Sequence, residues 1–174
     1  MRLKDAIDLV NHNAINKLDM QKWADLGCGT GTFTLALANL LANGSIIYAV
    51  DKNKSSLDKI PDQYNLIMFI KLNEDFKDSS LPENLDGILM ANSLHYVKEK
   101  DIFVKRISQN LKQKGSFIIV EYDTEKSNPW IPYPISFNSL SILFEKLGYN
   151  SIIKINEHQS LYRREQIYSA IIKR

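Results

Sequence analysis

The chain carries a single cysteine, Cys28, among 174 residues, which excludes an intramolecular disulfide and any cysteine-cluster metal site. Glycine and proline number only 7 and 5, too few for a collagenous or low-complexity chain. Charge of either sign barely prevails: 22 basic and 20 acidic residues leave a net charge of +2, so no partner of the nucleic-acid or membrane-surface kind is expected. No apolar run approaches the roughly 18 residues that span a bilayer. The N-terminal stretch MRLKDAIDLVNHNAIN is amphipathic and mixed in charge rather than signal-like, and a cytoplasmic protein is the expectation. Apolar residues make up 44% and charged residues 24% of the chain, the balance of a folded protein. The length suits one domain, residues 1–174, burying roughly 70% of the unfolded surface. No internal repeat or linker is visible.

The 7 glycines are not spread evenly: residues 23–34 read WADLGCGTGTFT, with Gly27, Gly29 and Gly31 at alternate positions after Asp25. Glycines at a strand-to-helix turn let the backbone approach a ligand closely, and the N–H groups of the following helix point at it. The spacing narrows the ligand. A dinucleotide loop, G-x-G-x-x-G, needs glycine at 32 or 34, where this chain has Thr32 and Thr34, so a nicotinamide reading is weakened. A phosphate-gripping P-loop needs a lysine after the glycines, and none follows. Cys28 reads as a small residue between two glycines.

The pattern D-x-G-x-G-x-G, with Asp51 twenty positions after the last glycine, resembles the first two motifs of the class I S-adenosylmethionine-dependent methyltransferases. The resemblance covers residues from about 20 to the end. It implies that Asp25, Gly27, Cys28, Gly29 and Gly31 lie under the methionyl part of S-adenosyl-L-methionine, and that Asp51, with Lys52 beside it, holds both ribose hydroxyls. An ionised carboxylate offers only acceptors, so it can receive two O–H donors at once.

Periodicity supplies the element order. Leu3, Ile7, Val10, Ala14 and Leu18 recur at helical steps and predict an opening helix over 3–17, with residues 1–18 a candidate lid. Strands are predicted at 22–26, 45–50, 66–71, 85–91 and 116–122. Helices are predicted at 31–43, 53–59, 102–113 and 136–147. Strands this uniformly apolar fit a parallel sheet covered on both faces. NSIIKINEHQ and QIYSAIIKR (150–159 and 166–174) leave no room for a crossover helix and must pair antiparallel. The expected fold is therefore α/β, a doubly wound, Rossmann-like, mostly parallel sheet with helices on both faces. The resemblance implies seven strands in the order 3-2-1-4-5-7-6, the last antiparallel.

Later segments carry the remaining candidates. In the family, an acidic residue after the third strand receives the adenine amino group and a neighbour packs on the ring; the match is Asp75 and Phe76, with Glu74 and Asp78 as rival carboxylates. After the fourth strand comes Asn92-Ser93-Leu94-His95-Tyr96, where an open α/β sheet binds its ligands. Amino-methyltransferases of DNA bases or protein glutamine carry Asn/Asp-Pro-Pro-Tyr/Phe here, and this chain lacks both prolines. His95 is the candidate general base, with a structural role as the alternative; His12 and His158 read as surface or packing residues. Trp130 and Tyr133 sit among three prolines in EYDTEKSNPWIPYP and form a stiff segment suited to covering an acceptor, or packing on the next helix. Arg163 and Arg164 are candidates for an anionic acceptor or for turn solvation.

The functional expectation is a methyltransferase that passes the methyl group to a small-molecule acceptor by direct in-line displacement, a step that asks mainly for alignment, and leaves S-adenosyl-L-homocysteine. The alternative is a catalytically idle cofactor-binding module with a regulatory or partner role. No metal is expected, and the oligomeric state stays open between monomer and homodimer.

Overall fold

A computed structural model of the chain describes residues 1–15, 17–159 and 166–174. The apolar segments form one sheet: β1 (Lys22–Leu26), β2 (Ile46–Val50), β3 (Gln63–Tyr64), β4 (Ile67–Leu72), β5 (Leu85–Ala91), β6 (Leu111–Tyr122), β7 (Ser151–Gln159) and β8 (Gln166–Lys173). Their order is β3-β4-β2-β1-β5-β6-β8-β7. Neighbours from β4 to β6 run parallel, whereas β8 lies antiparallel between β6 and β7. Without β3, this is the expected seven-strand order.

The additional strand is a correction to the count of seven. Asn65 and Leu66 adopt left-handed backbone with φ of 47° and 61°, a two-residue turn that pairs Gln63 with Met68 and Tyr64 with Ile67. Two successive positive φ values match the right-handed twist of hairpin strands. The predicted strand at 66–71 accordingly begins one residue later.

Helices cover both faces, as expected. α1 (Leu3–Val10), α2 (Thr32–Ala38) and α3 (Lys54–Leu57) bring Leu9, Leu37 and Leu57 onto Trp23 and Ile47 on one face. α4 (Lys100–Ile107) and α5 (Phe137–Lys146) bring Phe103 and Phe144 onto Ala24, Ile88 and Phe117 on the other. The strands are thus apolar on both sides because both sides are buried. Trp23, 1% exposed, fixes the centre of the sheet. Its ring occupies the space beside Gly87 on neighbouring β5, where a Cβ would lie 2.2 Å away.

All five predicted helices are shorter in the structure; the 31–43 helix is Thr32–Ala38 and the 136–147 helix is Phe137–Lys146. The opening helix stops at Val10, because the His12 ring Nδ1 accepts the Ala14 N–H at 3.1 Å and turns the chain. Its buried stripe is Ala6, Leu9 and Val10, while Leu3 and Leu18 are exposed. α1 lies against α2 and β7, and Asn156 Nδ2 donates to the Asp8 carbonyl. The predicted 102–113 helix ends at Ile107, and the chain joins β6 at Leu111, opposite Leu85. Asn110 Nδ2 donates to the Leu81 carbonyl at 2.8 Å and draws the chain into that register. The helix after β2 is a single turn, with Asn53 as its N-cap accepting the Ser56 N–H.

Candidate active site

The crevice opens at the carboxyl ends of β1, β2, β4 and β5, where the turns after these parallel strands converge. The turn after β1 is held to β2 by hydrogen bonds from the Gly27 and Cys28 N–H groups to the Val50 carbonyl, at 2.8 and 3.1 Å. The glycines do different jobs. A Cβ on Gly27, at φ 78°, would lie 2.6 Å from Ser93 Cβ, so this glycine is required by packing as well as by conformation. A Cβ on Gly29, at φ 54°, would meet nothing within 4 Å. That empty space is room for a ligand to approach the backbone.

Asp51 closes the loop from β2. Its Oδ2 accepts the Gly29 N–H and its Oδ1 accepts the Asn53 N–H, both at 2.8 Å. Each oxygen retains a further lone pair for an incoming donor. Asn73, just beyond β4, donates to the carbonyls of Asp51 and Lys52 and so joins the ends of β2 and β4.

Asp25 lies beneath the loop and is 1% exposed. Thr34, in the first turn of α2, donates its hydroxyl to Asp25 Oδ2 at 2.6 Å, while Oδ1 is buried with no hydrogen-bond partner among the described residues. Burial pushes the carboxyl up to about 7; the Thr34 hydrogen bond opposes this and the Asp51 charge adds to it. An orphaned acidic oxygen below a ligand loop is compensated by positive charge placed above it. Cys28 is buried, and burial with the Asp25 and Asp51 charges pushes its thiol far up. It is therefore a packing residue with no thiolate character.

A cavity of about 430 Å³ lies in this crevice, lined by Gly27, Asp51, Lys52, Asp75, Phe76, Lys77, Asn92, Ser93 and Tyr96. Six of the cofactor candidates are thus brought together with Tyr96. Asp75 Oδ1 accepts the Lys77 N–H at 3.0 Å, and the Phe76 ring backs onto Phe103 edge to face at 5.9 Å. Arg106 of α4 donates to the carbonyls of Ser79 and Phe76, which fixes this turn from below. Asn92 stands at φ 53° with its N–H donating to the Val120 carbonyl. Ser93 donates its hydroxyl to the Leu26 carbonyl at 2.6 Å and ties the β5 turn to β1.

His95 does not line this cavity. Its ring is buried, 4.3 Å from that of Tyr96, and its Nδ1 lies 2.7 Å from Glu121 Oε2. The loop after β6 reaches the same place: the Tyr133 N–H donates to the His95 carbonyl at 3.0 Å, and Lys100 Nζ donates to the Tyr133 carbonyl at 2.7 Å. Tyr133 and Trp130 are exposed on that loop, Trp130 to 72%. Of the two expectations for the aromatic pair, packing on α5 does not describe Trp130. Arg163 and Arg164 lie outside the described residues.

Sequence reasoning missed Thr34, Asn73, Ser93, Arg106 and Glu121. Thr34, Ser93 and Glu121 stood inside segments already singled out but without a role; Asn73 and Arg106 are recognisable only once the chain is folded. A larger, shallower depression of about 760 Å³, lined by Lys17, Met20, Asn43 and Leu66 among others, lies at the opposite, amino-terminal edge of the strands. Among the described residues, no cluster of histidine, cysteine or acidic side chains is placed to hold a metal ion. Nor is any helix among them long and apolar enough to cross a membrane.

A doubly wound sheet, a glycine turn with empty space above its middle glycine, and a carboxylate at the end of the second strand define a nucleoside-cofactor protein of the Rossmann-like class. Residues 24–117 match the family model of a methyltransferase domain, more than half of the chain, and the chain belongs to that family. An S-adenosylmethionine-dependent methyltransferase from Archaeoglobus fulgidus superposes with a TM-score of 0.75 over 100% of this chain and 95% of that one, at 16% identity. Another from Clostridium acetobutylicum gives 0.70 over 99% and 92%, at 15% identity. These likenesses show the fold. The cypemycin N-terminal methyltransferase of a Streptomyces species is 31% identical over 104 residues, 57% of this chain and 41% of that protein, so the match spans less than half of that curated relative.

S-adenosylmethionine is the cofactor, and the residues present fit it. The open space at Gly29 admits it, the orphaned Asp25 oxygen suits its positive charge, and Asp51 has acceptor capacity to spare.

Proposed function

We propose that the protein transfers a methyl group to a small-molecule acceptor by direct in-line displacement, leaving S-adenosylhomocysteine. The cofactor supplies a methyl group already activated on a sulfonium, so the chain's own residues have mainly to bind, orient and exclude water. In this reading Asp51 receives the ribose hydroxyls, Lys52 flanks it, Asp75 receives the adenine amino group and Phe76 packs beside the ring. Asp25, Gly27, Cys28, Gly29 and Gly31 form the floor under the methionyl end, and Asn92 borders it.

The observation that carries the acceptor side is the aromatic rim. Tyr96 lines the cavity and is 46% exposed, and the loop tied to it through His95 presents Tyr133 and Trp130 to solvent. Exposed aromatic rings with no core to fill are suited to stacking on a flat or apolar acceptor. His95 serves as base or positions the acceptor. A second reading, an amine at a peptide N-terminus, is favoured by the 31% identical relative whose name states that specificity.

The test is release of S-adenosylhomocysteine in the presence of a low-molecular-mass metabolite fraction and, separately, of peptides with free N-terminal amines. Turnover with the first supports the proposal. Turnover with peptides alone supports the second reading. Silence with both, alongside tight cofactor binding, overturns both in favour of an idle cofactor-binding module.

A further inference from the structure

Glu121 stands near the carboxyl end of β6, behind the turn that carries Asn92, Ser93 and Tyr96 into the cavity, and its side chain is 1% exposed. Both of its oxygens are directed at one residue. Oε1 accepts the His95 backbone N–H at 3.1 Å, and Oε2 lies 2.7 Å from the His95 ring Nδ1. Among the described residues the imidazole is the only ion-pair partner of this carboxylate. Burying a carboxylate is costly unless its acceptors are satisfied, and here both oxygens are satisfied by His95, with the Lys100 charge acting on the same group.

The histidine is held from a third side by the Tyr133 N–H on its carbonyl. Three of its four polar groups are therefore committed, and the fourth, Nε2, makes no hydrogen bond among the described residues. A neutral imidazole that donates its Nδ1–H to the carboxylate keeps a lone pair on Nε2. Fixing one ring nitrogen through a hydrogen bond to the other is how an imidazole is made a directed base. A histidine needed only to fill space would not require a buried carboxylate to select its tautomer.

We infer that Glu121 is a positioning residue for methyl transfer: it locks His95 in the Nδ1–H tautomer, so that the bare Nε2 takes the proton of the acceptor. The inference rests on the small-acceptor methyltransferase reading. In the step, the acceptor heteroatom forms its bond to the methyl carbon and the S–CH₃ bond breaks with its electron pair staying on sulfur. The proton of the acceptor passes to Nε2, so charge and atoms balance without a further reactant.

The experiment is ¹⁵N–¹H correlation spectroscopy of the full chain labelled at its histidines, which number three, with His95 assigned by comparison with His95→Gln. The wild type is expected to show a protonated Nδ1 and a bare Nε2 at about pH 8, and the Nε2 resonance is expected to move when S-adenosylhomocysteine is added. In Glu121→Gln the amide oxygen still accepts the backbone N–H, but the amide now donates to Nδ1. The tautomer is therefore expected to invert to Nε2–H, with S-adenosylhomocysteine bound at wild-type affinity as proof of an intact fold. A wild-type His95 that is Nε2–H or doubly protonated overturns the inference. So does an Nε2 resonance indifferent to S-adenosylhomocysteine, or an unchanged tautomer in the variant; the first two need no variant to fold. Absence of S-adenosylhomocysteine binding by the wild type in calorimetry overturns the methyltransferase reading itself, and is distinguishable because it is seen without reference to His95.

Discussion

Replacing Asp25 by Asn should make the protein's stability respond differently to pH, in a direction fixed by the burial of the carboxyl. In the folded chain this group titrates at about 7, against an ordinary value of 3.8. Between these values the folded state holds a proton that the unfolded state has released. The stabilisation is fully present below about pH 4 and is lost as pH rises through 7, after which it is level. With each pKa unit worth about 1.4 kcal/mol, the whole effect is about 4 kcal/mol, and about 2.5 kcal/mol falls between pH 5 and pH 8. The Asn side chain keeps an acceptor for Thr34 and carries no titrating proton. The stability of Asp25→Asn relative to wild type should therefore improve by about that 2.5 kcal/mol on going from pH 5 to pH 8. Urea denaturation followed by Trp23 fluorescence measures it, since Trp23 is buried and its Nε1 donates to Gln21 Oε1 at 2.8 Å. Stability profiles that run parallel in wild type and variant over this range would refute the reasoning.

Gly27→Ala puts a Cβ against Ser93 at a positive φ. It should cost roughly 2–4 kcal/mol, read as a lowered Tm, because strain and overpacking add. Tyr168→Phe removes the hydroxyl that donates to the Ile135 carbonyl at 3.0 Å in the interior, and urea titration should show a loss of about 1–2 kcal/mol. Trp130→Ala changes a residue that is 72% exposed. Tm and cofactor affinity should stay at wild-type values, within about 0.5 kcal/mol, while on the proposed function KM for the acceptor rises.

Much of this architecture could be read from local signals. The glycine turn and the carboxylate of Asp51 are local patterns with fixed spacing, and Gly27 and Asp51 line one cavity together with Asp75, Phe76 and Asn92. The terminal hairpin was legible because too few residues separate its strands for a crossover. The failures have a common physical origin, since tertiary contacts overrode local preference. Residues 108–113 continue a helical pattern, yet Asn110 is held by the Leu81 carbonyl and Leu111 pairs with Leu85. Asn65-Leu66 lacks the glycine that usually marks a two-residue turn, so β3 gave no signal. The partnership of Glu121 with His95 spans 26 residues, and nothing in the segment VEYD distinguishes a buried carboxylate from a solvated one. Asp25 was visible as part of a motif, but its dependence on Thr34 and its orphaned oxygen emerge only from the packed loop.

The central claim is that the crevice between the glycine turn and Asp51 binds S-adenosylmethionine, and isothermal titration of wild type and Asp51→Ala tests it most directly. The wild type should bind S-adenosylmethionine at one site, in competition with S-adenosylhomocysteine. A charge-assisted hydrogen bond is worth about 1.5–3 kcal/mol, so the variant should bind roughly 10- to 150-fold more weakly with its fold intact. No heat from the wild type, or equal affinity in the two proteins, would contradict the account.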